Sequence, residues 1–307
     1  MNAKVLEAIK RSAAVPSMPQ VVTRFIEIIQ DPNFDYGEVI KVLSADPGTV
    51  SEILRLSNSA LFGVRQKIVS LRQALTLLGP KRTRSLLLGR YLVDSVSRRH
   101  PSGLDMTYFW RRSLTASVLS SRFADAVLPK DRDEVFIAAL LADIGIPILA
   151  EAFPQQYAPI ISGYSPRGKY VTADDERAAV EATHSEVSAM VLTHWTLPDV
   201  VSTAVNLHQS DQPGEGTAAT MARILNSSDR ISRLLCEVPD LNEVPDVCTK
   251  AIEILRVDVG VLVRILGTVE KDIGELASAL RIDVIPSNVY AILAKTIQEK
   301  LCPAPAA

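Results

Sequence analysis

The side chains most able to do chemistry are ionisable groups set into apolar helix. Asp143 is the clearest: the run AALLADIGIPIL places a carboxylate inside an otherwise core-like segment. A buried carboxylate is costly unless it is paired or bound to a metal. The local alternative is that Asp143 caps a helix beginning at Ile144. His184, His194 and His208 come next, each in or at the end of a helical pattern. A lone helical histidine is more often a packed or solvated residue than a ligand. Asp229, in RILNSSDRIS, follows Leu225 by four positions, and its spacing leaves open whether it points inward. A different chemistry is offered by Lys81, Arg82 and Arg84, which follow Pro80 at a helix start, where free amides favour anions. The alternative there is a solvated outer face. The chain has no Gly-rich phosphate loop of either common pattern, no GxSxG and no HExxH.

The elements that must hold these groups are helices. Helix punctuation recurs along the chain, and period-2 alternation is nearly absent. Asp35 with Glu38 reads as a capping box, and Asp46-Pro47 as an N-cap and first helical residue. Ser70 opens a helix that Gly79 closes in a left-handed conformation, and Pro80 starts the next. Further helices are expected at about 105–126, 133–141, 143–153, 173–195, 198–208, 215–236, 246–256, 271–280 and 286–301. Loops are expected at 99–104, 154–172, 209–216 and 237–245, the third of these being the best internal boundary. The fold class is therefore all-α.

Composition narrows the function classes. The chain has 307 residues, 33 Lys plus Arg and 35 Asp plus Glu, so its net charge is 33 − 35 = −2. That rules out coating nucleic acid by bulk charge, and 5% aromatic residues weigh against a base-stacking platform, so no nucleic-acid partner is expected. Cys236, Cys248 and Cys302 are scattered, with no CxxC, which suggests a reducing compartment rather than a disulfide frame or thiolate metal site. The opening MNAKVLEAIKRS lacks the apolar core of a signal peptide. The most apolar stretch, Val135 to Ala150, is short and broken by Asp143, Gly145 and Pro147, so no membrane insertion is expected and the cytoplasm is the expected location. Charge is uneven: residues 55–99 carry ten bases and one acid (10 − 1 = +9), and residues 125–186 carry five bases and eleven acids (5 − 11 = −6).

Taken together, several motifs resemble a known family. VPSMPQVVTRFIEIIQDPNFDYGEVIKVLSADPGTVSEILRLSNSALFG, KIVSLRQALTLLGPKRTRSLLL, FWRRSL, AALLADIG and HSEVSAMVLTHW occur in the order found in the HDOD family, the HD-related output domain of bacterial signalling proteins. The resemblance spans about residues 14–210. It implies an HD-type helical domain over 1–212, with an N-terminal helical subdomain at about 14–105 and a degenerate HD-like part at 106–212. A helical extension follows at 213–307, its first helix completing the HD core.

The departures from the catalytic relatives carry the functional expectation. Metal-dependent HD phosphohydrolases use a first His, a His-Asp pair and a distal Asp, and two-metal relatives add further histidines. The resemblance puts Arg112 at the first His, Ala142-Asp143 at the pair, Asp229 at the distal Asp, and His184 and His208 at the auxiliary positions. A guanidinium cannot ligate a metal, and two carboxylates without an imidazole hold transition ions poorly. The expectation is a vestigial site with no hydrolase activity, no metal and no cofactor, and with Arg112 clamping Asp143 and Asp229 together. The function implied is a regulatory signal-transduction module that binds a protein partner. The alternatives are a nucleotide or cyclic-dinucleotide sensor and, less favoured, a residual phosphohydrolase.

Overall fold

The computed structural model describes residues 3–12, 15–31, 33–58, 66–99, 101–166, 168, 171–236 and 242–280, together with 295 and 299. Among these every regular element is helical, so the fold is all-α. The first five helices are α1 (Ala3–Arg11), α2 (Gln20–Ile29), α3 (Tyr36–Ser44), α4 (Pro47–Ser57) and α5 (Leu71–Ser97). The central group is α6 (Met106–Val127), α7 (Arg132–Leu141), α8 (Gly145–Ala152), α9 (Ala158–Ile161), α10 (Ala173–Val180), α11 (His184–His194) and α12 (Asp199–Leu207). Then come α13 (Thr217–Cys236), α14 (Glu243–Leu255) and α15 (Val259–Leu280).

The centre of the molecule is α6. Nearly every side chain from Tyr108 to Ala124 is buried, because α7, α13 and α15 pack around it. An element covered on all sides has no polar stripe to read, and its many small hydroxyls (Ser113, Thr115, Ser117) bond back to carbonyls three or four residues earlier in their own helix. Buried apolar residues run as one cluster from Val5 to Ala277, so the first five helices, the central group and the last three helices share a core. Two polar contacts pin the outer pieces to it. Trp195 Nε1 donates to the Pro16 carbonyl at 2.9 Å. Arg122 forks onto buried Asp272 of α15 through Nε (2.8 Å) and a terminal nitrogen (2.6 Å).

Local signals set most helix ends. The Ser70 hydroxyl accepts from Gln73 N–H and the Asp105 carboxylate from Tyr108 N–H. Asp35 accepts from Gly37 N–H, so it caps α3 directly rather than through a box with Glu38. Asn58 ends α4 and bridges to α5's approach: its amide donates to Ile68 O (2.9 Å) and accepts from Ile68 N–H (2.8 Å). At Gly79 the backbone has φ 72° and ψ 168°, which splits α5 into two helices, the second opened by Pro80.

Four expectations need correction. The single helix expected over 173–195 is two, separated at Glu181 (φ 58°), because Thr172 with Asp175 and Thr183 with Glu186 each form a complete capping box. The 154–172 loop contains α9, and the helix expected at 271–280 begins at Val259. Asp143 does not cap α8: the Gly145 N–H is taken at 2.8 Å by the Ser188 hydroxyl of α11. The helix expected at 286–301 (apart from residues 295 and 299), Ser59, Gly63 and the side chain of Lys81 lie outside the described residues. Within Pro129–Ala152, which contains α7 and α8, an 18-residue window has mean hydropathy 2.0, and 83% of that window is buried inside the fold.

The backbone at Gly79 gives a direct test. A Cβ built there would touch nothing within 4 Å, so the whole cost of Gly79→Ala is the strain of that φ,ψ region, about 1–3 kcal/mol. Urea unfolding should show that loss with an unchanged m-value. An unchanged midpoint would mean that the two halves of α5 are continuous.

Candidate functional site

The site is assembled around the turn between α7 and α8. α7 is apolar on nearly every face (Val135 to Leu141 are buried), and the chain leaves it at Ala142. Asp143 therefore projects from a short non-helical junction, not from a helix face. Its side chain is 14% exposed. The direction of the turn is fixed by Gly145. A Cβ at that position would lie 2.2 Å from the His184 carbonyl oxygen, so only glycine lets α8 begin against the first turn of α11.

That close approach sets Asp143 opposite His184, the first residue of α11. The Thr183/Glu186 box stops the helix one residue before it, and its backbone N–H, not consumed by the helix, donates to Glu176 Oε2 at 2.9 Å. The same oxygen lies 2.8 Å from His184 Nδ1. The other face of the ring puts Nε2 3.4 Å from Asp143 Oδ1. His208, at the end of α12, is built alike: Nδ1 lies 2.6 Å from the Val205 carbonyl, and Nε2 faces Asp143 Oδ1 at 3.4 Å. Both rings are 1% exposed. At 3.4 Å these are charge contacts, and neither Nε2 has a formed hydrogen bond.

Glu176 is fully buried. Tyr157 donates its hydroxyl to Glu176 Oε1, and Tyr164 reaches the same oxygen at 3.4 Å. Burial drives His184 toward neutrality, but the charge of Glu176 and the contacts to both carboxylates outweigh it and lift its pKa to about 10. Burial likewise opposes the Asp143 charge, yet the two imidazoles hold that carboxyl well below the usual range. Glu176 is also lowered, the His184 charge overcoming burial.

A second pair stands beside this one. Arg112 of α6 donates to Asp229 Oδ1 of α13 at 2.5 Å, and both side chains are buried. Burial opposes the guanidinium charge, but the fields of Asp229 first and Asp143 also hold its pKa above normal. The expected clamp is thus half realised. Arg112 binds Asp229, while Asp143 belongs to His184 and His208. The arrangement also revises the expected ligand inventory of two carboxylates and no imidazole. Asp143 Oδ1 and the two Nε2 atoms form a carboxylate-diimidazole set with all donor atoms within 4.8 Å of one another. Ala142 is buried and offers no donor, and His194 is exposed at the far end of α11.

The basic run is less naked than its sequence balance. Arg82, though exposed, is paired with buried Asp133, Arg90 and Arg98 with Asp94, Arg55 with Glu52, and Arg99 with Glu151. Arg84 is half-buried. Sequence reading missed Glu176, Tyr157 and Tyr164. The T-x-x-E box at Thr183 was the available sign that a helix ends next to them.

Comparison with known proteins agrees with the fold. The HDOD domain family matches residues 15–211. A candidate phosphohydrolase of Shewanella amazonensis SB2B has the same fold, with 17% identity, a TM-score of 0.65, and coverage of 96% of this chain and 98% of that one. A candidate signal-transduction protein of Marinobacter aquaeolei VT8 aligns with 18% identity and a TM-score of 0.54, over 96% of this chain and 65% of that one. An uncharacterised protein of Treponema pallidum (strain Nichols) is 23% identical over 203 residues, 64% of this chain. The match spans 38% of that curated relative's length.

Two substitutions test the geometry. Arg112→Ala leaves Asp229 buried without its cation and should cost about 3–5 kcal/mol, whereas the double change Arg112→Met/Asp229→Leu should recover most of it. A double-mutant cycle by chemical denaturation reads the coupling, and additive effects would mean the pair is not formed. Gly145→Ala should destabilise by about 1–3 kcal/mol despite alanine's better helix propensity, because the methyl meets backbone. A neutral result in the same denaturation assay would mean that α8 and α11 stand further apart.

Proposed function

The chain belongs to the HDOD domain family, and we propose that it is a non-catalytic signal-transduction module that acts by binding a protein partner. The observation that carries this reading is the Arg112–Asp229 pair. A hydrolytic HD centre works by having metal lower the pKa of a bound water and polarise a phosphoryl oxygen. On the family resemblance, Arg112, a permanent cation with no lone pair, stands at the first-imidazole position and Ala142 at the second. The reading is supported by the Arg112–Asp229 pair and by the lack of a donor on buried Ala142. The surroundings are closed as well, with both imidazoles 1% exposed, which leaves a phosphoester little access. The signalling role is supported by the family and by the fold shared with the Marinobacter protein. Large apolar side chains exposed at the start of α5, Val69 and Leu77, flanked by exposed Lys67 and Arg72, suit a protein surface. Two buried thiols, Cys236, which donates to the Thr115 hydroxyl, and Cys248, suit the reducing cytoplasm where such a module would act.

A second reading has its own observation. A cleft of about 480 Å³ opens between the loop before α13, α13 and α14, lined by Arg223, Arg230, Lys250 and Arg256 with Asp211 and Glu253. Four cations against two acids suit a phosphate-bearing small molecule, and nucleotide or cyclic-dinucleotide sensing would use this cleft, not the old catalytic centre.

One set of assays separates these readings. Purified protein with added Mg²⁺, Mn²⁺ or Zn²⁺ should not hydrolyse p-nitrophenyl phosphate, its bis ester or cyclic dinucleotides. Turnover that disappears in Asp143→Asn would overturn the non-catalytic assignment. Nucleotides should leave the melting temperature unchanged, and a rise abolished by Arg230→Glu/Lys250→Glu would favour the sensor. Pull-down from the source cells should recover a protein that the Val69→Asp/Leu77→Asp variant releases.

A further inference from the structure

The geometry points to a site for one divalent transition-metal ion, of the zinc class, held by Asp143, His184 and His208. This goes beyond the non-catalytic reading and does not depend on it. The argument begins with the tautomers. A backbone carbonyl can only accept, so His208 Nδ1, 2.6 Å from Val205 O, carries the ring proton. Ionised Glu176 likewise accepts from His184 Nδ1 at 2.8 Å. In each neutral ring the lone pair is then on Nε2, and both Nε2 atoms are buried with no hydrogen-bond partner. Two lone pairs and a carboxylate oxygen therefore converge on one small volume. Three acceptors so placed repel unless something positive lies among them.

The spacing and the charge both suit a metal. With zinc–nitrogen and zinc–oxygen bonds of about 2.0–2.2 Å at the tetrahedral angle, the edge between two donors is about 3.4 Å. The Asp143 Oδ1 to Nε2 distances are 3.4 Å for both histidines. The buried cluster carries Asp143, Glu176 and Asp229 against Arg112, so with neutral imidazoles its charge is 1 − 3 = −2. One divalent ion balances that. The donor set favours an imidazole-binding metal over Mg²⁺ or Ca²⁺, which prefer oxygen. The surroundings have the form of a metal site as well, since carboxylate or carbonyl acceptors on the far nitrogen orient metal-bound histidines and raise their basicity. Glu176, itself steadied by Tyr157 and Tyr164, and the Val205 carbonyl stand in those positions. The ion would tie the α7–α8 turn to α11 and α12. The competing occupant is a pair of protons, which makes both rings imidazolium.

The test uses the full chain, stripped with a chelator and titrated with Zn²⁺ by calorimetry and with Co²⁺ by visible absorption. The expected result is one ion per chain, tetrahedral-intensity cobalt bands and a raised melting temperature. Asp143→Asn and His208→Gln should abolish the bands, and Glu176→Gln, which only positions His184, should weaken zinc binding by about 10–100-fold. Should a variant fail to fold, histidine ¹⁵N spectra of the wild type decide. Loss of the Nε2-bound protons of His184 and His208 on adding zinc supports the site. Rings that stay doubly protonated, absence of uptake, or uptake unchanged in both ligand variants overturns it. None of these readouts involves turnover, so the presence or absence of hydrolysis has no bearing on whether the ion binds.

Discussion

Three carboxylates lie away from water at one place in this molecule, and most of the surrounding architecture answers that constraint. Asp143, Glu176 and Asp229 come from three different segments, and each needs donors or positive charge within reach. Arg112 serves Asp229 across α6 and α13. His184 serves Asp143 and Glu176 at once, with His208 on the other side of Asp143 and two phenols on Glu176. A half-satisfied network of this kind would be worse than an apolar core. The need to bring partners to these carboxylates therefore specifies where α6, α10, α11, α12 and α13 sit relative to one another, beyond what apolar packing demands.

The backbone devices nearby make sense in those terms. Had α10 run on into α11, the His184 N–H would bond to a carbonyl four residues back and could not hold Glu176. The break at Glu181 and the box at Thr183 free it. Had α7 run on into α8, Asp143 would lie on a helix surface facing its own turn. The junction ends with Gly145 pressed against the His184 carbonyl and bonded to Ser188, which carries the carboxylate to the histidine. Both interruptions fall where the apolar pattern alone would continue a helix.

This explains what the sequence made legible. Caps and kinks such as Ser70, Gly79-Pro80 and Asp105 act within a few residues, so the helical class and most ends could be read directly. The order of the motifs pointed to the family and to Arg112, Asp143, His184, His208 and Asp229. Glu176 was not legible, because in ADDERAAV it follows two acids that are exposed, and of the three acids it alone turns inward. The basic run around Arg82 misled for the opposite reason. Its counter-charge, Asp133, is far away in the chain and meets it only once α5 lies along α7.

On the proposed reading an arginine stands where catalytic relatives place an imidazole, and the consequences of that are local. A fixed cation in place of an imidazole does remove the means of holding a metal between Arg112 and Asp229. It would also repel an ion at Asp143 if its charge were free. It is not free: the guanidinium is hydrogen-bonded to Asp229, and that pair is neutral as a unit. The site thus consists of two neighbouring parts, one closed by an internal ion pair and the other with a carboxylate and two imidazoles facing one another. Loss of a two-metal hydrolytic centre and loss of all metal affinity are different events, and the first does not imply the second. A module that signals by shape would gain from the distinction. An ion joining the α7–α8 turn to α11 and α12 would stiffen that part of the fold.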